Sequence, residues 1–173
     1  MLEFAEIAKH VSIPLATGER LTTKAEFGAL LRHGGVRILQ PALGRVGGIW
    51  EAKKIAAMAE VFNAEMAPHL YAGPVEWAAN IHFAASIPNL LIAETIETGG
   101  AFHLALIKNS IRWEDGYIIP SDAPGLGIEF DEDLARANPY NGTALHLQMQ
   151  EAECDYRHGH RFDGGAPASM EPK

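Results

Sequence analysis

Along the first half of the chain, short apolar runs alternate with longer stretches whose apolar residues recur at helical spacing. Residues 13–17 make a β-like run that stops at Gly18-Glu19. Thr23 then opens a helix, with Glu26 in the reciprocal spacing of a capping box, and Gly34-Gly35 end it. Residues 36–40 form a second run, closed by Pro41. Ile49, Ala52, Ile55, Ala56, Ala59 and Phe62 place an apolar stripe on one face of a helix over 49–62. A short run at 64–67 and a loop over 68–73 follow. Pro74 suits the first position of a third helix, which reaches to residue 86. Residues 90–93 are a fourth apolar run, ending at Glu94.

This order of strand and helix predicts an α/β fold of about four parallel strands joined by right-handed crossovers. An open doubly wound sheet and part of a (β/α)8 barrel both satisfy it. Glu19, His69 and Glu94 each fall just after a predicted strand, the edge at which both architectures gather ligands. No glycine-rich phosphate fingerprint follows any strand, and Gly47-Gly48 alone is too little to count as one. Beyond Glu94 the pattern changes. Residues 113–119 read as a strand or hairpin, 120–127 as turns, 130–138 as a short acidic helix and 143–149 as a last strand. The expected organisation is a strand-helix unit over 1–110, a packing segment over 111–150 and a flexible, polar tail over 151–173.

Composition narrows the function classes more than the fold. The chain has 173 residues, 47% hydrophobic and 21% charged, enough for one domain with a sizeable core. Its formal net charge is −8, without a cluster of lysines or arginines, which argues against a nucleic-acid partner. No apolar run approaches the roughly 18 residues of a membrane span, and no membrane partner is expected. The single cysteine, Cys154, allows no internal disulfide and fits a reducing compartment, so a cytoplasmic location is expected.

Two carboxylates and a histidine at strand ends are a chemically useful set, because carboxylate oxygens suit magnesium and a histidine suits proton transfer. Spacing alone leaves the plainer reading open, solvated loop carboxylates and a histidine bonded to backbone. Several strings change that balance: Ile13-Pro14-Leu15-Ala16-Thr17-Gly18-Glu19, Gln40-Pro41-Ala42, Gly47-Gly48-Ile49, Ala56-Ala57-Met58-Ala59-Glu60, Ala67-Pro68-His69 and Gly73-Pro74. In this order and spacing they resemble the C-terminal part of the enolase superfamily, in its mandelate racemase and galactonate dehydratase-like group. The resemblance covers residues 2–149.

The resemblance implies the C-terminal half of a TIM-type (β/α)7β barrel and a Mg2+-dependent dehydratase acting on a hydroxy or sugar acid such as an aldonate. By this likeness Glu19 matches a magnesium ligand, His69 the catalytic histidine, and Glu94 a glutamate that binds the substrate. Tyr71, beside His69, is a candidate to line the substrate pocket. Racemisation or epimerisation is the nearest enzymatic alternative, since it shares the enediolate intermediate. Two departures bear on activity. Ala42 stands where the family usually carries an aspartate partner for the histidine, and such partners fix the ring tautomer. The family's lysine base motif and two further metal carboxylates should lie upstream of Met1. A lone subunit is therefore expected to be inactive, a truncated product or an anion-binding half-barrel. With two open sheet edges it is also expected to form a homo-oligomer, or to need a missing N-terminal half.

Other residues carry less. Arg37, Arg45 and Lys53-Lys54 are candidates to contact an acidic substrate, although a solvated helix face explains the lysines better, while Asp155, His158 and His160 read as part of an unstructured tail and Trp50, Trp77 and Trp113 as packing residues.

Overall fold

The computed structural model describes residues 2–95, 101–108 and 111–139. The strand expected at 143–149, the tail over 151–173 and the cluster of Asp155, His158 and His160 lie outside the described residues.

The strand-helix rhythm is present as read. After a short helix α1 (Leu2–Ile7), β1 (Leu15–Thr17) leads to α2 (Lys24–His33), and β2 (Val36–Leu39) follows. A four-residue helix α3 (Leu43–Val46) precedes α4 (Ile49–Val61), then come β3 (Glu65–Met66) and α5 (Pro74–Ala85). The strands form one parallel sheet in the order β1-β2-β3. The fourth apolar run extends it by a single parallel bridge, Met66 with Leu90.

That run is shorter than the sequence predicts, and Pro68 supplies the reason. Met66 N–H donates to the Asn89 carbonyl at 2.8 Å and Leu91 N–H to the Met66 carbonyl at 2.8 Å. The next donor in this alternation is residue 68, and proline has no N–H. The ladder stops, and residues 91–95 continue without regular structure.

Beyond the sheet lie α6 (Ala101–Ala105) and an antiparallel hairpin of β4 (Arg112–Glu114) and β5 (Tyr117–Ile119). Its two-residue turn has φ of 49° at Asp115 and 83° at Gly116, the positive pair that an Asp-Gly turn accommodates. The acidic helix α7 (Glu132–Ala137) is capped by Asp131, whose side chain accepts from Leu134 N–H at 2.8 Å.

One apolar cluster holds the sheet and its helices together. Phe27, Leu30 and Leu31 come from α2, Ala52, Ile55, Ala56 and Ala59 from α4, Phe83 from α5, and Val36, Leu39 and Met66 from the strands. The predicted stripe on α4 is the buried face, with only its terminal members, Ile49 and Phe62, exposed at 37% each. The capping box forms as expected: Glu26 N–H donates to Thr23 Oγ1, and Thr23 N–H to the Glu26 carboxylate at 2.8 Å. Asn89 ties the fourth run to α4, its side-chain amide donating to the Ala56 and Ala64 carbonyls at 3.1 Å each.

Two expectations about side chains need correction. Trp77 is buried, with Trp113 against it at a ring separation of 6.1 Å, but Trp50 is 70% exposed and lies under the Lys54 ammonium. Position 50 follows the buried stripe by one residue, which turns it outward. Nor are the lysines merely solvated. Lys53 donates to Ser86 at 3.1 Å and Lys54 pairs with Glu51.

Candidate active site

The site is assembled by the parallel ladder carrying on past the strands. Gln40 N–H donates to the Thr17 carbonyl, Ala67 N–H to the Leu39 carbonyl, and His69 N–H to the Pro41 carbonyl at 3.1 Å. His69 is therefore the register partner of Ala42 across a parallel bridge. Leu70, 2% exposed, anchors the segment from below, which leaves the imidazole at the sheet's C-terminal edge. The histidine side chain is 18% exposed, shielded yet reachable.

Glu19 reaches the same place from β1. Gly18 has φ 136°, and a Cβ there would lie 2.7 Å from the Phe27 ring, so glycine is required for the turn at this strand end. The turn closes through Leu21 N–H to the Gly18 carbonyl and sends the Glu19 side chain outward. Its Oε2 lies 3.5 Å from His69 Nδ1.

Glu94, from the fourth run, makes the closest contact. Its Oε2 is 2.7 Å from His69 Nδ1 and also accepts the Leu70 N–H at 3.0 Å. Two carboxylates thus flank one ring nitrogen, and Arg20 Nε lies 3.6 Å from the other oxygen of Glu19. The structure brings together Glu19, His69 and Glu94, which the sequence had placed at three separate strand ends. Tyr71, two residues past His69, is 56% exposed.

Two participants were missed by reading the sequence. The Leu70 N–H is a backbone group, invisible in a pattern of side chains. Glu76, on α5, accepts from Gly44 N–H at 2.9 Å and so serves the first turn of α3, whose N-cap Ala42 offers no side-chain oxygen. The signal was available at position 42, since an alanine at a helix start beside a histidine leaves both in need of a partner from elsewhere.

Magnesium wants near-octahedral oxygen ligands at roughly 2.0–2.1 Å. Among the described residues, no three His, Cys, Asp or Glu side chains are grouped to hold a metal ion. Glu19 leans on His69, and Glu94 already accepts two N–H donors. The described residues do not fit magnesium by themselves; further carboxylates would have to come from outside them. A mainly apolar cavity of 660 Å³ lies between α5, residues 90–95 and the hairpin, but none of the three site residues lines it. Among the described residues, no helix is long and apolar enough to cross a membrane.

Comparison with known proteins bears on this arrangement. Residues 1–134 match the family described as Enolase C-terminal domain-like. A D-galactonate dehydratase of Ralstonia pickettii is 40% identical over 137 residues, which cover 76% of this chain and 36% of that protein. The crystal structure of a mandelate racemase/muconate lactonizing enzyme-like protein from Roseovarius sp. TM1035 is 73% identical, with a TM-score of 0.78 over 90% of this chain and 39% of its own. An enolase from Agrobacterium radiobacter, provisionally assigned as a galactarate dehydratase and solved with Na and L-malate bound, is 30% identical, with a TM-score of 0.73 over 80% of this chain and 39% of its own. The chain spans about a third of the length of the curated relatives it matches.

Proposed function

The chain belongs to the enolase C-terminal domain-like family, and from that premise we propose that it carries the proton-transfer end of a dehydratase for hydroxylated sugar acids. One observation carries the reading: the His69 ring stands at the C-terminal edge of the parallel sheet with Glu94 at 2.7 Å and Glu19 at 3.5 Å from Nδ1. A histidine held this way through Nδ1, with its side chain 18% exposed, is equipped to act as a general acid or base. The dehydratase relatives supply the substrate class, an aldonate or related hydroxy acid.

In this reading the parallel sheet is the latter part of a (β/α) barrel, and the substrate lies over the strand ends. Loss of the proton α to the carboxylate gives an enediolate. Departure of the β-hydroxyl then yields an enol, which ketonises to a 2-keto-3-deoxy acid. His69 delivers the proton with which the hydroxyl leaves, so that one water is released per turnover. Glu94 keeps the ring oriented, Glu19 adds its charge at longer range, and Tyr71 forms part of the pocket wall. The base that takes the α-proton is not assigned to a described residue. Mg2+, which the family resemblance implies, would polarise the substrate carboxylate in a completed site, where Glu19 is the residue from this chain to contribute.

The test is turnover of aldonates by the native protein with Mg2+ present, followed by formation of the 2-keto product. His69→Asn, which keeps a polar side chain of similar reach without the titrating ring, is expected to lower kcat by about 10²–10⁴-fold. An unchanged kcat in that variant contradicts the role given to His69.

A further inference from the structure

We propose that Glu94 is the positioning residue of His69: it fixes the hydrogen on Nδ1 and leaves Nε2 as the nitrogen that exchanges protons. The proposal deepens the reading of His69 as the proton-transfer group and rests on it only for the use made of Nε2. The position of the hydrogen stands on geometry alone.

A neutral imidazole carries one hydrogen on either nitrogen, and the partner of each nitrogen decides which. Here Glu94 Oε2 lies 2.7 Å from Nδ1, inside the range of a charge-assisted hydrogen bond. The same oxygen accepts the N–H of Leu70 at 3.0 Å, and Leu70 is the residue next to the histidine. The carboxylate is therefore pinned to the backbone that carries the ring, so the two move together. An oxygen already accepting from a backbone donor is the acceptor toward Nδ1 as well, which puts the hydrogen on nitrogen.

No competing partner is present at the two nearest positions. Ala42, the register partner of His69, has no polar side-chain atom and is 4% exposed. Glu19 Oε2, at 3.5 Å, contributes charge at longer range without a hydrogen bond. Among the described residues Glu94 Oε1 accepts no hydrogen bond, so Glu94 keeps one oxygen for a substrate hydroxyl while it orients the ring. Its two roles are compatible because they use different oxygens.

The experiment is 15N NMR of histidine-labelled native protein without substrate, at a pH where the ring is neutral, with His69→Asn to assign the resonance. Wild-type His69 is expected to show a protonated Nδ1 and a bare Nε2. Glu94→Leu removes the acceptor, and the Nδ1–H form should fall from the major to the minor population, as in an unpartnered histidine side chain. Glu94→Gln keeps a carbonyl that accepts from Nδ1–H and should retain the wild-type tautomer. A wild-type ring protonated on Nε2 overturns the proposal, as does an unchanged tautomer in a folded Glu94→Leu protein. If Glu94→Leu does not fold, the wild-type and Glu94→Gln spectra still decide the matter. Because no turnover is measured, the two readings separate. An Nδ1–H ring in a protein that dehydrates no sugar acid sinks the function and keeps this inference, whereas an Nε2–H ring in an active dehydratase does the reverse.

Discussion

At the scale of single residues, the site depends on positions that do no chemistry. Gly18 is the clearest. Its φ of 136° and the Phe27 ring 2.7 Å from a built Cβ leave no room for any side chain. Gly18→Ala is expected to cost about 1–3 kcal/mol of stability from backbone strain and overpacking, read as a lowered midpoint in urea unfolding. A midpoint equal to wild type would contradict the account of that turn. The sequence showed Gly18-Glu19 as a strand end because glycine and a charge interrupt an apolar run, and it placed His69 and Glu94 by the same logic. What it did not show was direction. That Glu94 turns toward His69 is set by the Leu70 N–H and by the missing side chain at Ala42, neither of which has a period. Trp50 misled for a related reason, since its size argued for burial and only its place one step off the α4 stripe argued against it.

At the scale of elements, the ends of helices and strands were legible wherever a residue has a single physical use. Thr23 and Glu26 formed the capping box and Pro74 began α5, whereas the Asp115-Gly116 turn settles as a hairpin a segment that the sequence reads as a strand or hairpin. Thr23→Ala should destabilise the fold by about 0.5–2 kcal/mol, as an N-cap loss does. The partner carboxyl gives this a pH dependence. N–H donation from Thr22, then hydroxyl and N–H donation from Thr23, hold Glu26 below the ordinary carboxylate value. A depressed folded value stabilises the native state above the unfolded value, and the gain is lost as pH falls through the folded one. The stability gap between wild type and Glu26→Gln should therefore be widest near neutral pH and close in acid; a gap that widens on acidification would refute it. The short helices α3 and α6, of four and five residues, escaped notice because they are too brief to show a 3.6-residue period. The fourth strand was overestimated because its length depends on Pro68 of its neighbour rather than on its own apolar residues.

At the scale of the whole molecule, the described sheet is open on both sides. β1 at one edge has Ile13 nearby at 69% exposure, and the fourth run at the other carries Leu91 at 46% and Ile92 at 63%. Unpaired edges with apolar neighbours take up further strands. The chain by itself is expected to associate with rising concentration, seen by sedimentation as a growing weight-average mass; a monomer at every concentration would contradict this. The alternation of strands and helices made the α/β class readable at once, while the choice between a barrel and an open sheet was not, because both produce the same local pattern. In the proposed reading Mg2+ binding needs further carboxylates beside Glu19, because the ion takes several oxygen ligands. The most direct measurement is NMR of D-galactonate incubated in D2O with the native protein and Mg2+. Dehydration predicts a 2-keto-3-deoxy acid with deuterium at C3 and the loss of one hydroxyl, and no such product from His69→Asn at comparable times. Recovered substrate with every hydroxyl retained and deuterium at C2 would show racemase or epimerase chemistry instead, and recovered substrate without deuterium would contradict proton transfer at this site altogether.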